Sequence, residues 1–156
     1  MFLTNDFEEN KAIIDEILGV GKAYDVQSRP FTIFNKKIQM YYLDGLVDNL
    51  EIIGVLNQIL DLPQDVSNQN YFEIIYNNIT HKTVLIVDKI NDIYDHVLSG
   101  VIVLIIEGCN QALAIETRGY PIRSIGEPDL EKVVRGSHDG FTETLNINIG
   151  LLRRRI

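Results

Sequence analysis

Apolar residues recur along this chain with a helical period in some stretches and a strand period in others, and the switches mark its elements. From Asp6 to Leu18, the apolar residues Ile13, Ile14, Ile17 and Leu18 share one face, which predicts a helix. Asp6 stands where an N-cap belongs, Glu9 follows three residues on as in a capping box, and Gly19 and Gly21 stop the helix. A linking stretch runs to Pro30. Phe31 to Phe34 and Ile38 to Leu43 then read as strands separated by Asn35-Lys36-Lys37, a hairpin pattern. Leu46, Leu50, Ile53, Leu56 and Leu60 return to helical spacing and predict an amphipathic helix over 46–60 that ends before Pro63.

Asn70 to Asn78 is a further short helix, through Tyr71, Ile74 and Ile75, and Val84 to Val87 is a strand of the buried type. Ile90, Ile93, Tyr94, Val97 and Leu98 follow the helical template, with Gly100 at the C-terminal cap position. Val101 to Ile106 is an unbroken apolar run, mostly β-branched, which predicts a central strand covered on both faces. The connection from Val87 to Val101 is long enough for a right-handed βαβ unit. Gly108-Cys109-Asn110 turns the chain and Gln111 to Glu116 returns antiparallel. Pro128 opens a short helix closed by Gly136, with Asp129 and Glu131 near its positive end and Arg135 near its negative end. Asp139-Gly140 begins the last helix, striped by Phe141, Leu145, Ile149, Leu152 and Ile156. The expectation is an α/β fold: a mixed β-sheet flanked by helices, one compact domain over residues 1–156, with a C-terminal amphipathic helix.

Composition narrows the function classes. The chain has 156 residues and a formal net charge of −8, opposite in sign to a nucleic-acid surface, where clustered Lys and Arg displace counterions. The negative charge is uneven, with 12 acidic against 5 basic side chains in residues 1–78 and 10 against 9 in residues 79–156. A single cysteine, Cys109, excludes an internal disulfide. No run reaches the roughly 18 apolar residues of a spanning helix, so the expectation is a soluble domain.

Candidate chemistry is sparse. Asp88, Asp92, Asp95 and His96 are close in sequence, but they lack the calcium-loop glycine and read as a solvated helix face rather than a metal site. Cys109 reads as a small residue in a tight turn. No phosphate loop, dinucleotide fingerprint or Gly-x-Ser-x-Gly elbow is present. The expectation is therefore no enzyme, with no catalytic, cofactor or metal residues. What remains is a charged, glycine-punctuated span: Arg118, Arg123, Glu127, Glu131, Arg135, Asp139 and Glu143. Guanidinium forks pair bidentately with carboxylates, so this span reads as an internal ion-pair lattice, a partner surface or a small-ligand site. Arg153, Arg154 and Arg155 complement the negative end of the last helix, or face an anionic bilayer.

The same span carries a resemblance. Glu116-Thr-Arg118-Gly119-Tyr120-Pro121, then Glu127-Pro128-Asp129-Leu-Glu131-Lys132-Val-Val-Arg135-Gly136, then Asp139-Gly140-Phe141-Thr-Glu143, ending in Leu151-Leu152-Arg153-Arg154-Arg155-Ile156, resembles the signature of the A subunit of GerA-type spore germinant receptors. Leu98-Ser99-Gly100 with the apolar run after it, and Tyr42-Leu-Asp44-Gly45-Leu-Val-Asp48, are similar to further segments of that family. Gly126, Ser137-His138 and Ile149-Gly150 depart from its pattern. The candidate interface residues are Arg118, Gly119, Pro121, Arg123, Glu127, Pro128, Glu131, Arg135, Gly136, Asp139, Gly140, Glu143, Arg153 and Arg154.

The resemblance implies the first subdomain of the hydrophilic N-terminal region of a longer membrane protein in the spore inner membrane, on the cytoplasmic, spore-core side. It implies partners in the receptor's B and C subunits, in further A subunits and in the adjacent subdomain. The function it implies is a regulatory or assembly module that relays a nutrient signal during germination. The alternative is direct binding of a small-molecule germinant such as an amino acid, sugar or nucleoside.

Overall fold

The computed structural model describes residues 1–62, 70–80, 83–118 and 145–155. Helix α1 (Phe7–Leu18) starts at Asp6, whose carboxylate accepts from the Glu8 and Glu9 amides, and closes at Gly19 in the left-handed conformation. The reciprocal half of the expected capping box is rerouted. Thr4 Oγ1 accepts from the Asp6 amide and donates to the Glu9 carboxylate, so Thr4 stands between the two. Asn10 is buried and bonds both backbone groups of Thr4, which ties the N-terminal segment to the helix.

Strands β1 (Val26–Ile33) and β2 (Lys36–Leu43) form an antiparallel hairpin from Val26↔Leu43 to Ile33↔Lys36. The turn is Phe34-Asn35, both at positive φ, the geometry that matches strand twist in a two-residue hairpin. Phe34 is held in this uncommon conformation by burial and by stacking on Tyr71. The second part of the stretch expected to link α1 to Pro30, from Val26 on, is instead the first half of β1. It escapes the apolar pattern because β1 is an edge strand, where polar Gln27, Ser28 and Arg29 and a proline without an N–H donor are tolerated.

Helices α2 (Asn49–Leu60) and α3 (Tyr71–Asn78) precede β3 (Val84–Val87), α4 (Ile90–Leu98), β4 (Ile102–Ile106), β5 (Ala112–Ile115) and α5 (Leu145–Arg155). The five-stranded sheet has the order β1-β2-β4-β5-β3. Each neighbouring pair in it is antiparallel, which corrects the expected mixed sheet. β3 and β4 do run parallel, since both are antiparallel to β5, but β5 lies between them. The segment after β4 turns back into the slot that a simple βαβ unit would have closed.

Two apolar layers sandwich the sheet. On one face Ile38, Met40, Ile102, Leu104, Ile106, Leu113 and Ile115 meet Ile52, Val55, Leu56 and Ile59 of α2 and Phe72 and Ile75 of α3. On the other, Tyr41, Leu43, Val103, Ile105, Ala112 and Ala114 meet Phe7, Ile14 and Leu18 of α1 and Ile90, Ile93 and Val97 of α4. β4 is buried along its whole length because it lies mid-sheet between both layers. Burial of each such side chain contributes about 1.5–3 kcal/mol, so the sheet centre dominates stability. Tyr41 donates to Asp15 at 2.9 Å, and Asp15 also pairs with Lys11, which locks α1 to its sheet face.

Three expected faces differ. β3 is an edge strand with Leu85 and Ile86 half exposed, not a buried one. α2 begins after Asp48, which caps the Leu50 amide, and it turns Ile52, Val55, Leu56 and Ile59 inward. Leu50 at 77%, Ile53 at 53% and Leu60 at 52% are left exposed. Both arcs of α2 are apolar at helical spacing, and only the position of the sheet selects between them. On α5, Leu145 and Leu152 are exposed, and the helix meets the domain through Gly150 and Arg153 instead.

Candidate interface at the signature junction

The β2–α2 turn, Asp44-Gly45-Leu46-Val47, is the hub of one end of the sheet. Gly45 takes φ +88°, and the Leu46 and Val47 amides both reach the Leu43 carbonyl at 3.3 Å. The Asp44 amide donates to the Asp25 carbonyl at 2.8 Å, fixing the turn to the entry of β1.

Other segments close on Leu46. At the end of α4, Gly100 has φ +87°, and a Cβ there would lie 3.0 Å from Leu46 Cβ and 3.2 Å from its carbonyl oxygen. Glycine is required at that position on both counts. On α5, a Cβ at Gly150 would lie 3.0 Å from the Gly45 carbonyl oxygen, so helix and turn are in backbone contact. Val47 forms an antiparallel bridge with Arg118, and the Asp48 amide approaches the Thr117 carbonyl at 3.4 Å. The turn thus holds the exit of β5, the end of α4 and the flank of α5 together.

Arg153 supplies the polar lock. Its Nε and Nη2 both donate to the Asp25 carboxylate, the latter at 2.8 Å. The Asp25 side chain is only 5% exposed, so the pair is sheltered and bidentate. The hydrogen bond to Asp25 holds the Arg153 guanidinium above its ordinary pKa, against the opposing effect of burial. Arg153 therefore faces inward, paired with Asp25 rather than turned to a bilayer. Arg118 instead stays at the surface, with Glu116 at 3.1 Å and Ser99 Oγ at 3.5 Å.

Of the residues singled out from sequence, the structure brings Arg118 and Arg153 to this junction. Arg154 lies on α5. Gly119, Pro121, Arg123, Glu127, Pro128, Glu131, Arg135, Gly136, Asp139, Gly140 and Glu143 lie outside the described residues, as does the helix expected from Pro128 to Arg135. Asp25 was missed. It bonds a residue 128 positions away, and no local pattern marks it. Elsewhere, burial pushes the half-buried Cys109 thiol up, with Lys36 opposing more weakly, so it is protonated at neutral pH and unactivated. Among the described residues no group of three His, Cys, Asp or Glu is gathered for a metal ion, and no helix is long and apolar enough to cross a membrane.

Residues 12–156 match the family described as Bacillus/Clostridium GerA spore germination protein. The chain belongs to the GerA family. It is 39% identical to stage V sporulation protein AF of Bacillus subtilis (strain 168) over 149 residues, covering 95% of this chain and 30% of that protein. It is 34% identical to spore germination protein KA of the same organism over 145 residues, covering 88% of this chain and 26% of that protein. The crystal structure of the N-terminal domain of the A subunit of the Bacillus megaterium spore germinant receptor GerK3 superposes with a TM-score of 0.75 at 28% identity, covering all of this chain and 56% of that one. The chain thus spans about a third or less of those curated relatives. Its fold is that of part of a GerA-family N-terminal domain, just over half of the matched one, as the receptor resemblance implied. In this GerA-family domain, the Asp44–Asp48, Leu98–Gly100 and Glu116–Arg118 segments and the terminal helix carried that resemblance, and the structure joins them at one junction.

Proposed function

We propose that this domain is a regulatory and assembly module of a germinant-receptor A subunit, relaying a nutrient signal through domain and subunit contacts. The observation that supports this reading is the junction itself. Arg118 at the head of the signature span and α5 at its tail both rest on one glycine-shaped turn, which in turn starts α2 and bonds the entry of β1. A shift of the span is thereby coupled to both helical layers through backbone contacts that have little slack. The partners that fit are the adjacent subdomain of the same chain, further A subunits and the receptor's other subunits, at the spore inner membrane.

The test is charge reversal at Arg123 and Arg135 in the full-length protein. The expected result is a folded, assembled receptor with slowed germination. Normal folding, assembly and germination together would overturn the reading.

A second reading, direct binding of a small germinant, is favoured by an open groove of ≈ 340 Å³ between α1 and the β1–β2 hairpin, lined by Phe7, Lys11, Phe31, Thr32 and Gln39. Its size is at the low end of ligand pockets, about 300–1,000 Å³, and a Glu8–Lys37 ion pair flanks it. Amide NMR of the labelled domain, titrated with amino acids, sugars and nucleosides at millimolar concentration, separates the two. Saturable shifts on the groove residues establish sensing; a flat response from a folded domain leaves relay.

A further inference from the structure

The groove between α1 and the β1–β2 hairpin has a polar floor that the fold leaves unfinished. The residues that line it all belong to the described part of the chain. Gln39 and Tyr41 stand two apart on β2, so their side chains share the sheet face that α1 covers. Tyr41 is fully buried there and its hydroxyl donates to Asp15. Gln39 is also buried, at 2% exposure, and it lines the groove. Its Nε2 donates to Ser28 Oγ. The second amide hydrogen and the amide oxygen have no partner among the described residues. Buried polar atoms are ordinarily paired, and a core that needed only to be filled would carry an apolar residue here, as it does at Leu43 on the same face. A molecule in the groove would supply the missing donor and acceptor.

The rim states what charge that molecule carries. Glu8, in the first turn of α1, and Lys37, on β2, meet across the groove at 2.6 Å, and each side chain is more than half exposed. Such a pair is weakly held, so it opens readily for a ligand that offers both charges. Lys11, the other charged residue of the lining, is engaged by Asp15 at 2.7 Å, and Glu107 accepts from the Lys37 backbone amide at 2.9 Å. One carboxylate and one ammonium are therefore the groups that can exchange partners. A lone anion or cation would strand one of them, and a sugar would use neither. The Gln39 amide fits the same doubly charged ligand, since its hydrogen donates to a carboxylate and its oxygen accepts from an ammonium. Phe7, Pro30 and Phe31 give the groove apolar walls.

We propose that this groove binds a zwitterionic α-amino acid with an apolar side chain, its ammonium on Glu8, its carboxylate on Lys37, both steadied by the Gln39 amide, and its side chain against Phe7, Pro30 and Phe31. The proposal rests on the direct-binding reading given above and deepens it by naming the ligand class and the residues that select it.

The test is amide NMR of the labelled 156-residue chain titrated at millimolar concentration with L-valine, L-isoleucine and L-phenylalanine, and in parallel with glucose and inosine. Saturable shifts from the amino acids on residues 7–11, 30–32 and 37–39 are expected. Isoleucinamide, which lacks the carboxylate, and N-acetylisoleucine, which lacks the ammonium, bind at least ten-fold more weakly. Glu8→Gln and Lys37→Gln each weaken isoleucine binding at least ten-fold with the urea midpoint unchanged, because their pair is exposed. Equal binding of the two blocked derivatives, or an amino-acid footprint away from the groove, overturns the proposal. Groove shifts from glucose or inosine with none from the three amino acids overturn the ligand class and leave direct binding standing. A flat response to all of them from a folded domain overturns both.

Discussion

Replacing Arg153 by methionine keeps most of the side chain's apolar stem and removes its guanidinium, leaving the Asp25 carboxylate, 5% exposed, without two charge-assisted donors. Breaking a buried pair by removing one partner costs about 3–5 kcal/mol. The Arg153 side chain is 28% exposed, so water reaches part of the site after substitution, and the expected loss falls to about 2–4 kcal/mol. With a urea m-value of about 2 kcal/mol per molar, the unfolding midpoint followed by far-ultraviolet circular dichroism drops by roughly 1–2 M. Asp25→Asn retains shape and hydrogen bonding, and the freed guanidinium can turn to solvent, so its loss is smaller, about 1–2 kcal/mol. The double variant is then less destabilised than the two single losses added together. A loss under about 0.5 kcal/mol for Arg153→Met, the range of exposed ion pairs, would refute the assignment of this pair as the lock on α5.

Gly100→Ala places a methyl group 3.0 Å from Leu46 Cβ at φ +87°; about 1–3 kcal/mol of stability is expected to be lost, read from the urea midpoint, whereas Gly21→Ala, at φ +78° with open space around it, loses less. Tyr41 is held protonated by burial, then by the Asp15 charge and hydrogen bond, with its pKa raised in the folded state. Its contribution is therefore complete below the unfolded value of about 10 and declines above it, by about 1.4 kcal/mol per pH unit. Tyr41→Phe should flatten that alkaline decline in pH-dependent denaturation, at a loss of about 1 kcal/mol at neutral pH. The raised pKa of the Cys109 thiol predicts alkylation by iodoacetamide at pH 8 several-fold slower than that of an unfolded control, and equal rates would contradict its burial.

Local signals carried much of the architecture. α1 and α4 were legible because a cap or closing glycine bounded each apolar stripe, and β4 because only a strand covered on both faces tolerates an unbroken apolar run. Strand order was not legible. The turn at Gly108-Cys109-Asn110 announced the antiparallel return of β5, which its pairing with β4 bears out, but that β5 also takes the place beside β3 and so separates β3 from β4 emerged only in three dimensions. The face of α2 was misread for a related reason: its apolar arc exceeds what the sheet covers, and Leu50, Ile53 and Leu60 satisfy helical periodicity as well as Ile52, Val55 and Ile59 do. At the junction, Arg118 and Arg153 stood out as charges in a glycine-rich span. Asp25 did not, because a buried ion pair across the chain leaves no periodic trace. Gly45, Gly100 and Gly150 are visible as letters, but the contacts that require them are tertiary.

The most direct test of relay through the junction is Gly150→Ala in the full-length protein in spores. The added methyl group meets the Gly45 carbonyl and separates α5 from the β2–α2 turn. The account predicts normal protein level and receptor assembly, with nutrient-triggered germination slowed at least ten-fold and a nutrient-independent trigger unaffected. Wild-type nutrient germination from spores carrying this variant would contradict it.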